Sequence, residues 1–172
     1  VHGTIPVGPG TDRDVARALI VAGVRETFEE AGVLLAVDRS GRPAAPDGDW
    51  ARDRQISEAS AAFPAVLARR RLSIQADSLV PVAHWITPEV EARRYDTRFL
   101  VAALPSGQEV DAHATETDSA HWVVPAQALA EHWAGRLAML PPTVAVLDDL
   151  AGQRSVGDAL SWARTRDVVP LM

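Results

Sequence analysis

The chain has no cysteine, which excludes disulfides, thiolate metal ligands and cysteine nucleophiles and leaves its redox compartment undetermined. It has no lysine either. All 17 basic residues are arginine, so every cationic contact is made by a planar guanidinium, a group suited to bidentate phosphate binding. No apolar run approaches the roughly 18 residues that a spanning helix needs, and the N-terminal residues lack the basic-then-apolar pattern of a secretion signal. These absences set the expectation of a cytoplasmic protein with no membrane partner. Internal repeats and heptad arrays are absent, as are the GxSxG, GxxxxGK[ST] and GxGxxG motifs. His2, His84, His113, His121 and His132 show no HxxxH-like spacing, which argues against a zinc site.

What is present is the composition of an ordinary folded domain: 172 residues, 47% hydrophobic and 23% charged. The formal net charge of −6 disfavours broad attraction to a nucleic-acid backbone or an anionic membrane, while phosphorylated small molecules need only a local site. Residues 1–10 read as a loop rich in glycine and proline. Thr11 has the form of an N-cap for a helix from Asp12 to Ala31, with Gly32 as its stop, and Val33 to Val37 reads as a short buried strand. Residues 38–50 are polar and Gly/Pro-rich, and helical spacing returns from Ile56 to Leu72 with a kink expected at Pro64. Strands are expected over Leu79 to Ile86, Thr97 to Leu104 and Ala120 to Val124, followed by helices starting at Pro125, Pro141 and Val156. The pattern is α/β or α+β, read as a single domain over residues 1–172 with an insertion at 38–78.

The informative stretch is Arg25-Glu26-Thr27-Phe28-Glu29-Glu30-Ala31-Gly32-Val33. With Glu26 set at 0° and about 100° per residue, Glu29 falls near 300° and Glu30 near 40°, while Ile20, Val24, Phe28 and Ala31 lie on the opposite side. One face packs and the other concentrates negative charge. Like charges at i,i+4 cost an exposed helix a few tenths of a kcal/mol, so helix stability alone gives no reason for the cluster. Two readings are open at this point: a solvated acidic face, or oxygen ligands for a hard divalent cation, Mg²⁺ or Mn²⁺. Arg25 reaches Glu29 at i,i+4 and can hold that carboxylate in place.

The same string resembles the second half of the Nudix box, GX5EX7REUXEEXGU with U aliphatic, through Arg25, Glu26, Glu29, Glu30, Gly32 and Val33. Within that family the chain resembles the branch related to the peroxisomal coenzyme A diphosphatases, in RETFEEAGVLL, in WITPE and RRYDTRF between Trp85 and Phe99, and in MLPPT from Met139 to Thr143. With the insertion between Val37 and Leu79, the resemblance runs from about Val15 to Leu150. It implies a Nudix-like α/β/α sandwich with a mixed sheet and a helical insertion after the box strand. It also implies that Glu26, Glu29 and Glu30 bind Mg²⁺ or Mn²⁺, that Arg25 orients a glutamate, and that Glu29 and Glu30 serve catalysis. The reaction would be hydrolysis of a diphosphate linked to another moiety, with coenzyme A or an acyl derivative as the candidate substrate.

The sequence departs from the box in its first half: the first glutamate falls on Arg17 and the glycine on Thr11, and Thr27 stands at an aliphatic position. The strands that the family places before the box are expected to be absent from this chain. A sheet so opened would expose an edge, and a homodimer is one way to cover it. Glu116 resembles a loop glutamate that many Nudix sequences carry ahead of a Trp-Val strand, and would be a further ligand or base; as a plain loop carboxylate it would be solvated or cap an amide. Arg94 and Arg98 are candidates for holding substrate phosphates, against a structural role in a salt bridge with Asp96. Competing with hydrolysis are a Nudix-fold binding module without catalysis and an acidic-faced domain without metal.

Overall fold

A computed structural model of the chain describes Val1 and residues 12–111 and 122–172. Among the described residues the alternating pattern resolves into six α-helices and a mixed three-stranded sheet. The helices are α1 (Arg13–Ala31), α2 (Trp50–Ser57), α3 (Phe63–Arg69), α4 (Pro125–Trp133), α5 (Pro141–Ala151) and α6 (Val156–Thr165). The strands are β1 (Val80–Ile86), β2 (Asp96–Val101) and β3 (Pro170–Leu171). This is an α/β fold. No helix among the described residues is long and apolar enough to cross a membrane.

The chain divides into two compact units, one formed by Val1–Leu79 with Leu104–Ala120, the other by Val80–Ala103 with His121–Met172. The second unit holds the sheet, in the order β2-β1-β3. β1 and β2 pair antiparallel, from Val80 opposite Val101 to Ile86 opposite Asp96, with an irregularity between Pro81 and Ala83. Pro81 has no N–H to give the ladder, and an extra residue at that point bends the strand. β3, which the sequence reading did not anticipate, adds parallel to β1 through His84 and Trp85. Val80, Val82 and Ala163 form a buried cluster, with Phe99, Val101, Val146, Leu160 and Trp162 packed against it.

In the first unit, α1 begins one residue later than expected, at Arg13. Asp12 is the N-cap, its carboxylate accepting from Asp14 N at 2.8 Å and Val15 N at 3.3 Å. Thr11 lies outside the described residues. Of the apolar run Val33 to Val37, Val33, Leu34 and Ala36 are buried and Leu35 and Val37 half-buried, yet it forms no strand: only Val37 makes isolated bridges, to Pro43 and Ser73. The reason is a side chain. Buried Gln108 accepts from Leu34 N at 2.8 Å and donates to Leu34 O at 3.0 Å and Ala44 O at 2.8 Å, so it takes the place of a neighbouring strand.

Residues 38–49 are tied down by their own carboxylates. Asp38 accepts from the Ser40 hydroxyl and from the backbone and side chain of Arg42, which hold its carboxyl well below the usual carboxylate range. The single kinked helix expected from Ile56 to Leu72 is replaced by α2, a 3₁₀ turn at Ser60–Ala62, and α3. Pro64 occupies the first turn of α3, where its missing N–H costs nothing, and therefore starts a helix instead of kinking one. Of the strand expected over Ala120 to Val124, Trp122, Val123 and Val124 are exposed and unpaired as a strand, and the remainder lies outside the described residues.

Candidate functional site

The site is built on the last two turns of α1. Ala16, Ile20, Val24 and Phe28 recur every four residues and are all buried, which fixes the rotation of the helix and leaves Glu26 and Glu30 exposed, with Glu29 partly buried. The box's aliphatic position, Thr27, is accommodated because its hydroxyl donates to Gly23 O at 2.7 Å. Gly32 closes the helix in the left-handed conformation, φ 68°, with its N–H on Phe28 O.

Arg25 is brought onto two of the three carboxylates. It bonds Glu26 directly, and its Nε lies 3.7 Å from Glu29 Oε1. Glu30 points to solvent from the same face. Carboxylate oxygens without sulfur or imidazole fit a hard divalent cation in donor chemistry. Among the described residues, however, no three His, Asp or Glu side chains converge as a ready cation site, because Glu26 and Glu29 turn onto Arg25.

Arg54, from α2, was not singled out in the sequence. Its Nε donates to Glu29 O at 2.8 Å, its Nη2 to Glu30 O at 2.9 Å, and its Nη1 lies 3.4 Å from Asp111 Oδ2. Trp50 Nε1 donates to Gly32 O at 3.0 Å. Glu29, Trp50, Arg54, Gln108 and Asp111 border one cavity of about 900 Å³. No sequence signal marked Arg54 or Trp50, because their partners are backbone carbonyls of another helix.

Arg94 and Arg98 lie in the second unit. Arg94 Nε donates to Thr87 O at 2.9 Å, and Arg98 Nη1 donates to Asp96 Oδ1 at 2.8 Å. The same Asp96 oxygen lies 2.6 Å from His84 Nε2. Glu116 lies outside the described residues.

Comparison with known proteins gives a consistent result. A family model described as the NUDT19 Nudix domain matches residues 9–150. The putative nudix hydrolase 7 of Caenorhabditis elegans is 28% identical, covering 82% of this chain and 46% of that protein. The acyl-coenzyme A diphosphatases NUDT19 of Xenopus laevis and Gallus gallus are each 27% identical, over 71% and 94% of this chain and 36% and 47% of their own lengths. The chain thus spans under half the length of these curated relatives. Among solved structures, the NUDIX hydrolase from Alicyclobacillus acidocaldarius matches with a TM-score of 0.77 at 29% identity, covering 90% of this chain and 69% of that one.

Proposed function

The chain belongs to the Nudix hydrolase family, in the NUDT19 group, and from that premise we propose that it hydrolyses the phosphoanhydride bond of a nucleoside diphosphate linked to another moiety, with coenzyme A or an acyl-coenzyme A as substrate. The observation that carries the reading is the acidic face of α1, set by a fully buried opposite stripe and bridged by Arg25. Two of the relatives are named acyl-coenzyme A diphosphatases, which supports the substrate class.

Glu26, Glu29 and Glu30 would hold Mg²⁺ or Mn²⁺, which neutralises phosphate charge and makes a water more acidic when bound. Arg25 restrains Glu26 and Glu29 so that their carboxylates remain on one side of the helix. Glu29 or Glu30 accepts a proton from the attacking water, with Glu116 the candidate for an additional ligand or base. Arg94 and Arg98 are assigned the substrate's phosphate oxygens, which suit planar guanidinium groups.

The test is product formation from a panel of diphosphates, coenzyme A and acyl-coenzyme A among them, with and without Mg²⁺ or Mn²⁺. Glu29→Gln and Glu30→Gln are each expected to lower kcat by about 100-fold or more while leaving the far-UV circular dichroism unchanged. Full activity in both variants rejects the assignment. Saturable metal and diphosphate binding with no product from the wild-type chain identifies a binding module instead.

A further inference from the structure

The carboxylates sit at the wrong end of their helix. A helix C-terminus carries partial negative charge from its unsatisfied carbonyls, and cations in the last turn normally offset it. The last turn of α1 holds no basic residue and instead carries Glu29 and Glu30, so charge and dipole repel. The compensating cation comes from elsewhere in the fold. Arg54 places a fixed guanidinium fork on the carbonyls of the two residues whose side chains carry the proposed chemistry, Glu29 and Glu30. Trp50, on the same helix as Arg54, bonds the next carbonyl that needs a donor, Gly32 O.

Trp50 is itself held by two further contacts. The Trp50 ring meets Phe28 of α1 edge-on, with centroids 5.1 Å apart, and the Arg70 guanidinium lies 5.0 Å from the Trp50 centroid. Arg70 in turn bonds Asp47 at 2.7 Å and the fully buried Asp53 of α2. Bonds among Asp47, Asp53 and Arg70 thus fix where α2 stands, and α2 fixes the end of α1.

We infer that Arg54 is a positioning residue for Glu29 and Glu30: its fork locks the backbone of the last turn and so sets where the two carboxylates present themselves to a divalent cation. The inference rests on the hydrolase reading above. Electrostatics alone makes the opposite prediction, since deleting a positive charge beside carboxylates should strengthen cation binding. The direction of the change therefore separates positioning from field effects.

The experiment measures Mn²⁺ affinity from the free-ion electron paramagnetic resonance signal, together with kcat, KM and the urea midpoint, for wild type, Arg54→Met, Arg54→Lys and Trp50→Phe. Arg54→Met is expected to weaken Mn²⁺ binding by about 10- to 100-fold and to lower kcat with little change in KM. Arg54→Lys keeps the charge but replaces the fork with one ammonium, so it recovers only part of the affinity; Trp50→Phe keeps an aromatic side chain but loses the N–H on Gly32 O, and loses a smaller share in the same direction. If Arg54→Met does not fold, the last two variants carry the test. Wild-type protein that binds Mn²⁺ and turns over substrate, with unchanged or tighter Mn²⁺ binding in the folded variants, overturns this inference alone. Wild-type protein that does neither overturns the hydrolase reading, and this inference with it.

Discussion

Gln108 is a buried polar side chain whose amide makes three hydrogen bonds to backbone groups far away in sequence. Each of those groups belongs to Leu34 or Ala44, both themselves buried, so water cannot replace the amide if it is removed. Gln108→Leu keeps roughly the same shape and strands the Leu34 N–H and the Ala44 carbonyl, while Leu34 O keeps its bond from Ala36 N at 2.9 Å. Stranded buried groups cost about 1–3 kcal/mol each, with partial relief by local relaxation, and a total near 3 kcal/mol is expected as a fall in the urea midpoint at constant slope. A loss below about 1 kcal/mol would show that solvent reaches Leu34 after all. The apolar character of Val33 to Val37 was legible in the sequence, as was its burial. Its partner was not, since nothing local in Gln108 distinguishes an amide that completes a backbone from one that faces water.

At the scale of an element, α1 was the most legible part because its determinants are local. An N-cap side chain, apolar residues three or four positions apart and a terminal glycine all act within one or two turns: the cap falls on Asp12, one residue after the expected Thr11, while Ile20, Val24, Phe28 and Gly32 occupy the expected places. The acidic face of the candidate site follows from the same periodicity. Its surroundings do not: Arg54 and Trp50 reach the helix end from α2, a segment whose own pattern suggested a polar loop running into a later helix. Gly32 is where the local and distant requirements meet. Its φ of 68° disfavours any L side chain, and a Cβ there would come 3.4 Å from both Arg54 Nη1 and Asp111 Cβ. Gly32→Ala is therefore expected to cost about 1–2 kcal/mol from the left-handed backbone alone. Because the added methyl only reaches contact distance of the end of the Arg54 side chain, Mn²⁺ affinity should fall no further than the stability loss predicts. Thermal melts and Mn²⁺ titration of the same sample check both parts, and an unaltered melt would mean the helix end can relax out of the left-handed turn.

For the molecule as a whole, β1, β2 and the order of helices were readable from alternating periodicities, while the short β3 was not, because two residues carry no period; its parallel pairing is what makes the sheet mixed, a feature only the family resemblance implied. The division into two compact units was equally invisible, since each unit is assembled from separated stretches of chain. This division bears on how metal binding should be seen in solution. The glutamates belong to the first unit, so ligand binding stabilises the structure that holds α1 in place. With free Mg²⁺ or Mn²⁺ at about a hundred times its dissociation constant, linkage gives about 2.7 kcal/mol. A chain of this size gains roughly 2–4 °C per kcal/mol, so the transition should rise by about 5–10 °C over a chelated sample. Hydrogen exchange should slow over Arg13–Ala31 in the same titration, because opening that helix requires releasing the cation. The double variant Glu26→Gln, Glu30→Gln removes two of the three proposed ligands and should abolish both effects. An equal shift in the variant would place the cation elsewhere, and no shift in the wild type with either ion would remove the metal from the account of this face.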